Sequence, residues 1–248
     1  MVHDPTVHLE QSQTTAFSKQ KVSQMKDISE AKLNFCRVSD IAIILFLIFF
    51  SQFIGLVIVG FTDYGLLGRY WFSFCLGGIP LFWLICFRKG SFFDIGFSNG
   101  QWTRKQIFLW GTFCGFLGFL LLILPFSYEN FFRWSPDKSL YLHFLLTPLN
   151  PSGFEHIIFS PFCEEIFFRG LLLTFLISRF STRVTLILQA LLFAFLHFEF
   201  RVSHILSLFC LGLLLGYLYI LSRSLHPSII AHATISWLSL WLAYVTYN

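Results

Sequence analysis

The chain has 248 residues, of which 56% are hydrophobic and 12% charged, and its mean hydropathy is +0.70. A surface of that composition must mostly face hydrocarbon, which excludes a water-soluble globular protein. The net charge of +4 comes from clusters flanking apolar runs, not from a basic stripe, and so gives no reason to expect nucleic acid as a partner.

In chain order, a polar leader of about forty residues comes first. It is rich in Ser, Thr, Gln and Lys, too long for the n-region of a cleaved signal and without apolar periodicity. Residues 1–38 are therefore expected to form a disordered cytoplasmic leader. Apolar runs of spanning length, roughly 17 to 25 residues, follow near Ile41 to Phe61, Tyr70 to Phe87 and Ile107 to Phe126. Further runs lie at Phe154 to Ile177, Val184 to Phe198, Ile205 to Leu221 and Ile229 to Tyr247. The predicted fold class is all-α, a polytopic membrane helix bundle of about seven transmembrane helices. Leu140 to Leu149, at about ten residues too short to cross alone, is a candidate for an eighth, partial element. Residues 39–150 would hold the N-terminal transmembrane helices and 151–248 a C-terminal core.

Cytoplasmic flanks carry the excess of Lys and Arg. With an internal N-terminus, twelve such residues between Lys19 and Arg223 fall inside, against Arg69, Arg133, Lys138 and Arg201 outside. That bias predicts a cytoplasmic N-terminus. The six cysteines show no Cys-x-x-Cys spacing, which indicates neither a disulfide framework nor a structural zinc ribbon. No internal repeat supports a transporter built from two related halves.

Ionisable residues inside apolar spans are costly and mark functional sites, and they concentrate in the last hundred residues. The fourth span contains Glu164-Glu165-Ile166-Phe167-Phe168-Arg169. Glu165 and Arg169, four apart, stack on one helix face and neutralise each other, either as a brace between helices or as part of the chemistry. Glu164 lies about 100° around the helix and has no such partner. The fifth span ends in Phe193-Ala194-Phe195-Leu196-His197. The last carries His226-Pro227-Ser228-Ile229-Ile230-Ala231-His232, with Ser236 one turn beyond. A single such histidine is more often a hydrogen-bonded packing residue, but three spans that each supply an inward polar group point to a site. Straight spans would place Glu164, His197 and His232 at different depths. Tilt, a short fifth span or broken helices lining a cavity would bring them level.

Glu-Glu-x-x-x-Arg, Phe-x-x-x-His and a final His on a small-residue helix occur in that order on successive apolar segments. In this the chain resembles the CAAX prenyl protease type II and bacteriocin-processing (CPBP, or abortive-infection) family of intramembrane proteases. The flanks Phe168-Arg169-Gly170-Leu171, Leu211-Gly212-Leu213-Leu214-Leu215-Gly216 and Ser224-Leu225-His226-Pro227-Ser228-Ile229 add to the likeness, which covers roughly Phe154 to Ser239. The resemblance implies an intramembrane endopeptidase with its catalytic core in 151–248. Glu164 would activate water with His197 as its partner, His232 would face the developing oxyanion, and Glu165 and Arg169 would form a supporting ion pair. Ser236 stands where the family often has Asn; it offers one donor instead of two, at shorter reach.

The implied partners are the lipid bilayer and a membrane-attached peptide or protein, either lipidated, as by a prenyl group, or unlipidated, in the endoplasmic reticulum of a eukaryote or the plasma membrane of a prokaryote. Glu164, His197 and His232 are also a zinc ligand set with one open position. The His-Glu-x-x-His signature is absent, and metal-free glutamate chemistry is favoured over zinc, which stays as the alternative cofactor. Cys163, beside Glu164, is a weaker candidate nucleophile, because an apolar setting keeps a thiol inert. The alternative reading is a non-catalytic membrane immunity factor, receptor or scaffold built on the same buried polar cluster. A proton-coupled or small-ion transporter is a third.

Overall fold

The computed structural model describes residues 37–60, 65–123, 151–197 and 201–247. The leader up to residue 36 and the partial element expected at Leu140 to Leu149 lie outside the described residues. Seven helices account for the described chain, with no strand among the described residues. They are α1 (Val38–Gly60), α2 (Gly65–Arg88), α3 (Arg104–Ile123), α4 (151–177), α5 (Thr182–Phe195), α6 (Val202–Ser222) and α7 (Leu225–Tyr247). A short 3₁₀ turn, Phe92–Ile95, lies between α2 and α3.

Four windows, Val38–Gly55, Tyr70–Arg88, Arg104–Ile123 and Val202–Ser222, are long and apolar enough to cross a membrane. The protein is an integral, polytopic helical membrane protein. Three helices depart from that plain type. α5 has only 14 residues, about 21 Å at 1.5 Å per residue, against a hydrocarbon core of about 30 Å. α4 alternates between registers: π-helical at Glu155–Phe159, α-helical at Ser160–Glu165 and π-helical again at Ile166–Leu173. α7 is long but interrupted by polar residues, including Ser228, His232, Thr234 and Ser236.

Close approach of the helices depends on small residues, since lipid-embedded helices associate by packing and not by expulsion of water. α3 lies on α7 through Gly111, Gly115 and Gly118; a methyl group at Gly115 would sit 2.6 Å from Thr234 Cβ and 2.8 Å from the Ala231 carbonyl oxygen. Gly212 lets α6 reach Ala190 of α5, and Gly77 lets α2 reach Cys163 of α4. α1 packs on α2, completing a bundle whose core is α4.

The connection between α2 and α3 folds back into the bundle. Leu225 N–H donates to the Gly96 carbonyl at 2.9 Å, and Gln101 N–H to the Ser222 carbonyl at 2.9 Å. Gly96, with φ +99, lies so close to Tyr219 that a methyl there would fall 2.9 Å from the ring. The Ile95 carbonyl and the Leu225 side chain both border Gly170 of α4, and Ser224 and Leu225 are fully buried. α7 therefore starts not at the end of α4 but level with Gly170. This irregular backbone is tolerated because it is enclosed by protein.

Candidate active site

That recessed start resolves the mismatch of depths expected from straight spans. From Gly170 back to Glu164 is six residues, about 9 Å, and from Leu225 forward to His232 is seven, about 10 Å, so the two side chains arrive at one level. The short α5 does the same for His197, which lies two residues past its last helical residue, Phe195.

The geometry is centred on Glu164 Oε2. It lies 3.9 Å from His197 Nε2 and 3.8 Å from His232 Nε2. The opposite oxygen, Oε1, accepts a hydrogen bond from Ser160 Oγ at 2.8 Å. Side-chain exposure falls from 30% at His197 to 15% at Glu164 and 9% at His232, so the described residues leave the site open on the His197 side.

Each imidazole has its outer nitrogen fixed. His197 Nδ1 is 2.6 Å from the Phe193 carbonyl oxygen, which can only accept, so Nδ1 carries the proton. His232 Nδ1 is 2.9 Å from Glu165 Oε1, an oxygen that also accepts from Arg169 Nη1 at 2.8 Å. An oxygen that accepts from the guanidinium accepts from the ring as well, and again Nδ1 donates. In their neutral forms both rings thus turn an Nε2 lone pair toward a carboxylate oxygen. Glu164 Oε2 accepts no hydrogen bond among the described residues. Three acceptors facing one another suit a species with two donors, or a proton on one ring.

Beneath this lies a support layer. Arg169 and Glu165 are fully buried. The guanidinium also reaches the Gly212 carbonyl at 3.4 Å and sits 4.7 Å from the centre of the Phe193 ring, a cation–π distance. The same ring packs on His197 at 4.6 Å and on His232 at 5.9 Å. Within the π segment of residues 166–173, the Arg169 carbonyl accepts from Thr174 Oγ1, five residues on, at 3.2 Å. π segments of this kind cluster at functional sites because they re-aim the side chains that follow.

Of the residues singled out from sequence, Glu164, Glu165, Arg169, His197 and His232 are brought together. Ser236 is half-buried one turn beyond His232, and no hydrogen bond joins it to the other five among the described residues. Cys163 is buried against Gly77 of α2. His226 pairs with Ser224 at 2.9 Å and edges onto Phe97, outside the cluster. Ser160 and the second role of Glu165, as acceptor for His232, escaped the sequence reading. The i, i+4 spacing of Ser160 to Glu164 was the available signal for the first; nothing local signals the second.

Two imidazoles and a carboxylate are the donor types of a catalytic zinc, but they stand wider apart here than a bound zinc would hold them. Two ligands about 2.05 Å from a tetrahedral metal stand about 3.3 Å apart, less than the separations here, and among the described residues no group of three or more His, Cys, Asp or Glu is arranged to hold a metal ion.

Residues 149–238 match the family model described as Type II CAAX prenyl endopeptidase Rce1-like. The match spans the segment that carries Glu164, Glu165, Arg169, His197, His232 and Ser236, and it agrees with the resemblance read from the motifs. At the family level this region is similar to a CAAX-type intramembrane protease. No curated protein and no solved structure matches the chain.

Proposed function

We propose that the protein is an intramembrane endopeptidase that hydrolyses a peptide bond of a membrane-attached peptide or protein with water activated by Glu164. The observation that carries this reading is the convergence of three helices on one carboxylate oxygen, at 3.8 and 3.9 Å from two imidazole nitrogens. A water among these groups gives one hydrogen to Glu164 Oε2 and one to an imidazole Nε2, leaving its lone pair free for a carbonyl carbon. On attack the proton passes to Glu164, and from there to the leaving amine nitrogen as the tetrahedral intermediate collapses. His232 as imidazolium, held by Glu165 at Nδ1, donates from Nε2 to the oxyanion; the Ser236 hydroxyl is the neighbouring donor. Glu165 and Arg169 hold the His232 ring in that orientation and stabilise its positive charge, the role of the third member in other triads.

The scheme uses no metal, so chelator-washed and still active protein should carry no stoichiometric zinc on elemental analysis. The charge bias of the flanks supports a cytoplasmic N-terminus. Membranes containing the wild type, incubated with lipidated and unlipidated peptides, should yield a single new terminus by mass spectrometry, and Glu164→Gln should not. Cleavage that persists in Glu164→Gln would remove Glu164 from the mechanism. A correctly folded wild type inert toward every such peptide, with its binding unchanged in Glu164→Gln, would favour a scaffold or receptor.

A further inference from the structure

The mechanism above requires Glu164 to hold one carboxylate oxygen between the two imidazoles. A glutamate side chain turns about three single bonds, and its terminal torsion is broad and nearly two-fold. Nothing in Glu164 itself selects the rotamer that turns one of its two equivalent oxygens between the rings. Resting on the proposed function, we infer that Ser160 is the positioning residue that makes this selection.

Ser160 begins the α-helical segment between the two π segments of α4. Its backbone N–H donates to the Glu155 carbonyl, five residues back, so the upstream π register fixes where its side chain emerges. From there Ser160 and Glu164, four apart, share a helix face. A mid-helix serine commonly turns its hydroxyl back onto a carbonyl of the preceding turn. Here Ser160 Oγ instead donates to Glu164 Oε1 at 2.8 Å. A hydroxyl has a single hydrogen to give, so this bond commits it. One carboxylate oxygen is thereby occupied, and the other is left without a hydrogen-bond partner among the described residues, aimed at His197 Nε2 and His232 Nε2. The charge-assisted bond holds the base in its attacking rotamer before substrate arrives, which is where preorganisation has its effect. Ser160 touches neither imidazole among the described contacts, and its effect passes wholly through Glu164.

The test uses the full-length protein in membranes, with Ser160→Ala and Ser160→Thr. Ser160→Ala should lower kcat about ten- to a hundred-fold, the worth of one hydrogen bond to a charged group, with KM within about two-fold. Ser160→Thr, which keeps the hydroxyl on the same carbon, should restore kcat to within about three-fold. Infrared difference spectra, taken as each protein minus its Glu164→Gln counterpart, read the Glu164 carboxylate without requiring turnover. Its bands should shift in Ser160→Ala and return in Ser160→Thr. Unshifted bands in a folded Ser160→Ala protein would overturn the inference whether or not the protein is a peptidase. So would shifted bands with kcat unchanged, or a loss that threonine fails to restore. Shifted bands in Ser160→Ala, in a protein whose cleavage is unaffected by Glu164→Gln, would uphold the orienting role of Ser160 and remove Glu164 from the proposed mechanism instead.

Discussion

α1 and α4 are both apolar helices of one bundle, yet they face opposite solvents. On α1, Phe46 is 65% exposed and Phe53 likewise, turned toward the surroundings of the bundle with other large apolar residues such as Phe49 and Phe50. On α4, Glu165 and Arg169 are fully enclosed, along with every residue from Ile166 to Leu173. In water this distribution would be inverted. With lipid as solvent, phenylalanine costs nothing at the surface, whereas a carboxylate or guanidinium must be wrapped in protein and given partners. The helices best suited to lipid, α1, α2, α3 and α6, supply none of the site's side chains. The site is borne by the three that are broken, short or polar.

The contrast can be broken most severely at Glu164. Replacing it with Gln keeps shape and burial but removes the base, and cleavage should fall by about 10³-fold or more while membrane insertion and thermal unfolding in detergent stay as in wild type. Next comes the buried pair. Arg169→Met strands the Glu165 carboxylate and should cost about 3–5 kcal/mol, read as a lowered unfolding midpoint. The double change Arg169→Met with Glu165→Gln removes both charges and should recover much of that stability, though not the support of His232. A recovery in both stability and cleavage would show that the pair acts only as a brace.

Smaller effects sharpen the packing side of the contrast. Gly115→Ala drives a methyl into Thr234 and the Ala231 backbone, which should cost about 1–3 kcal/mol and disturb α7, seen as lost cleavage at reduced thermal stability. Phe46→Leu on the outer face of α1 should change stability by less than about 0.5 kcal/mol. A large loss there would mean that this face meets protein and not lipid.

The sequence sufficed to determine the solvent, the helical class, the order of the spans and the residue types that lipid would not tolerate unless enclosed. These follow from composition and from local spacing, as the Glu165–Arg169 pair does, because i, i+4 neighbours meet in any helix. Convergence was not local. It came from the 14-residue length of α5, from the π segments that re-aim α4, and from a loop that seats Leu225 against Gly170, so that His232 rises to the level of Glu164. The carboxylate of Glu165, shared between Arg169 and His232, likewise joins residues 67 apart in sequence. Such contacts depend on where each helix begins and how deeply it is sunk, and interhelical packing sets that depth, not the pattern along any one span.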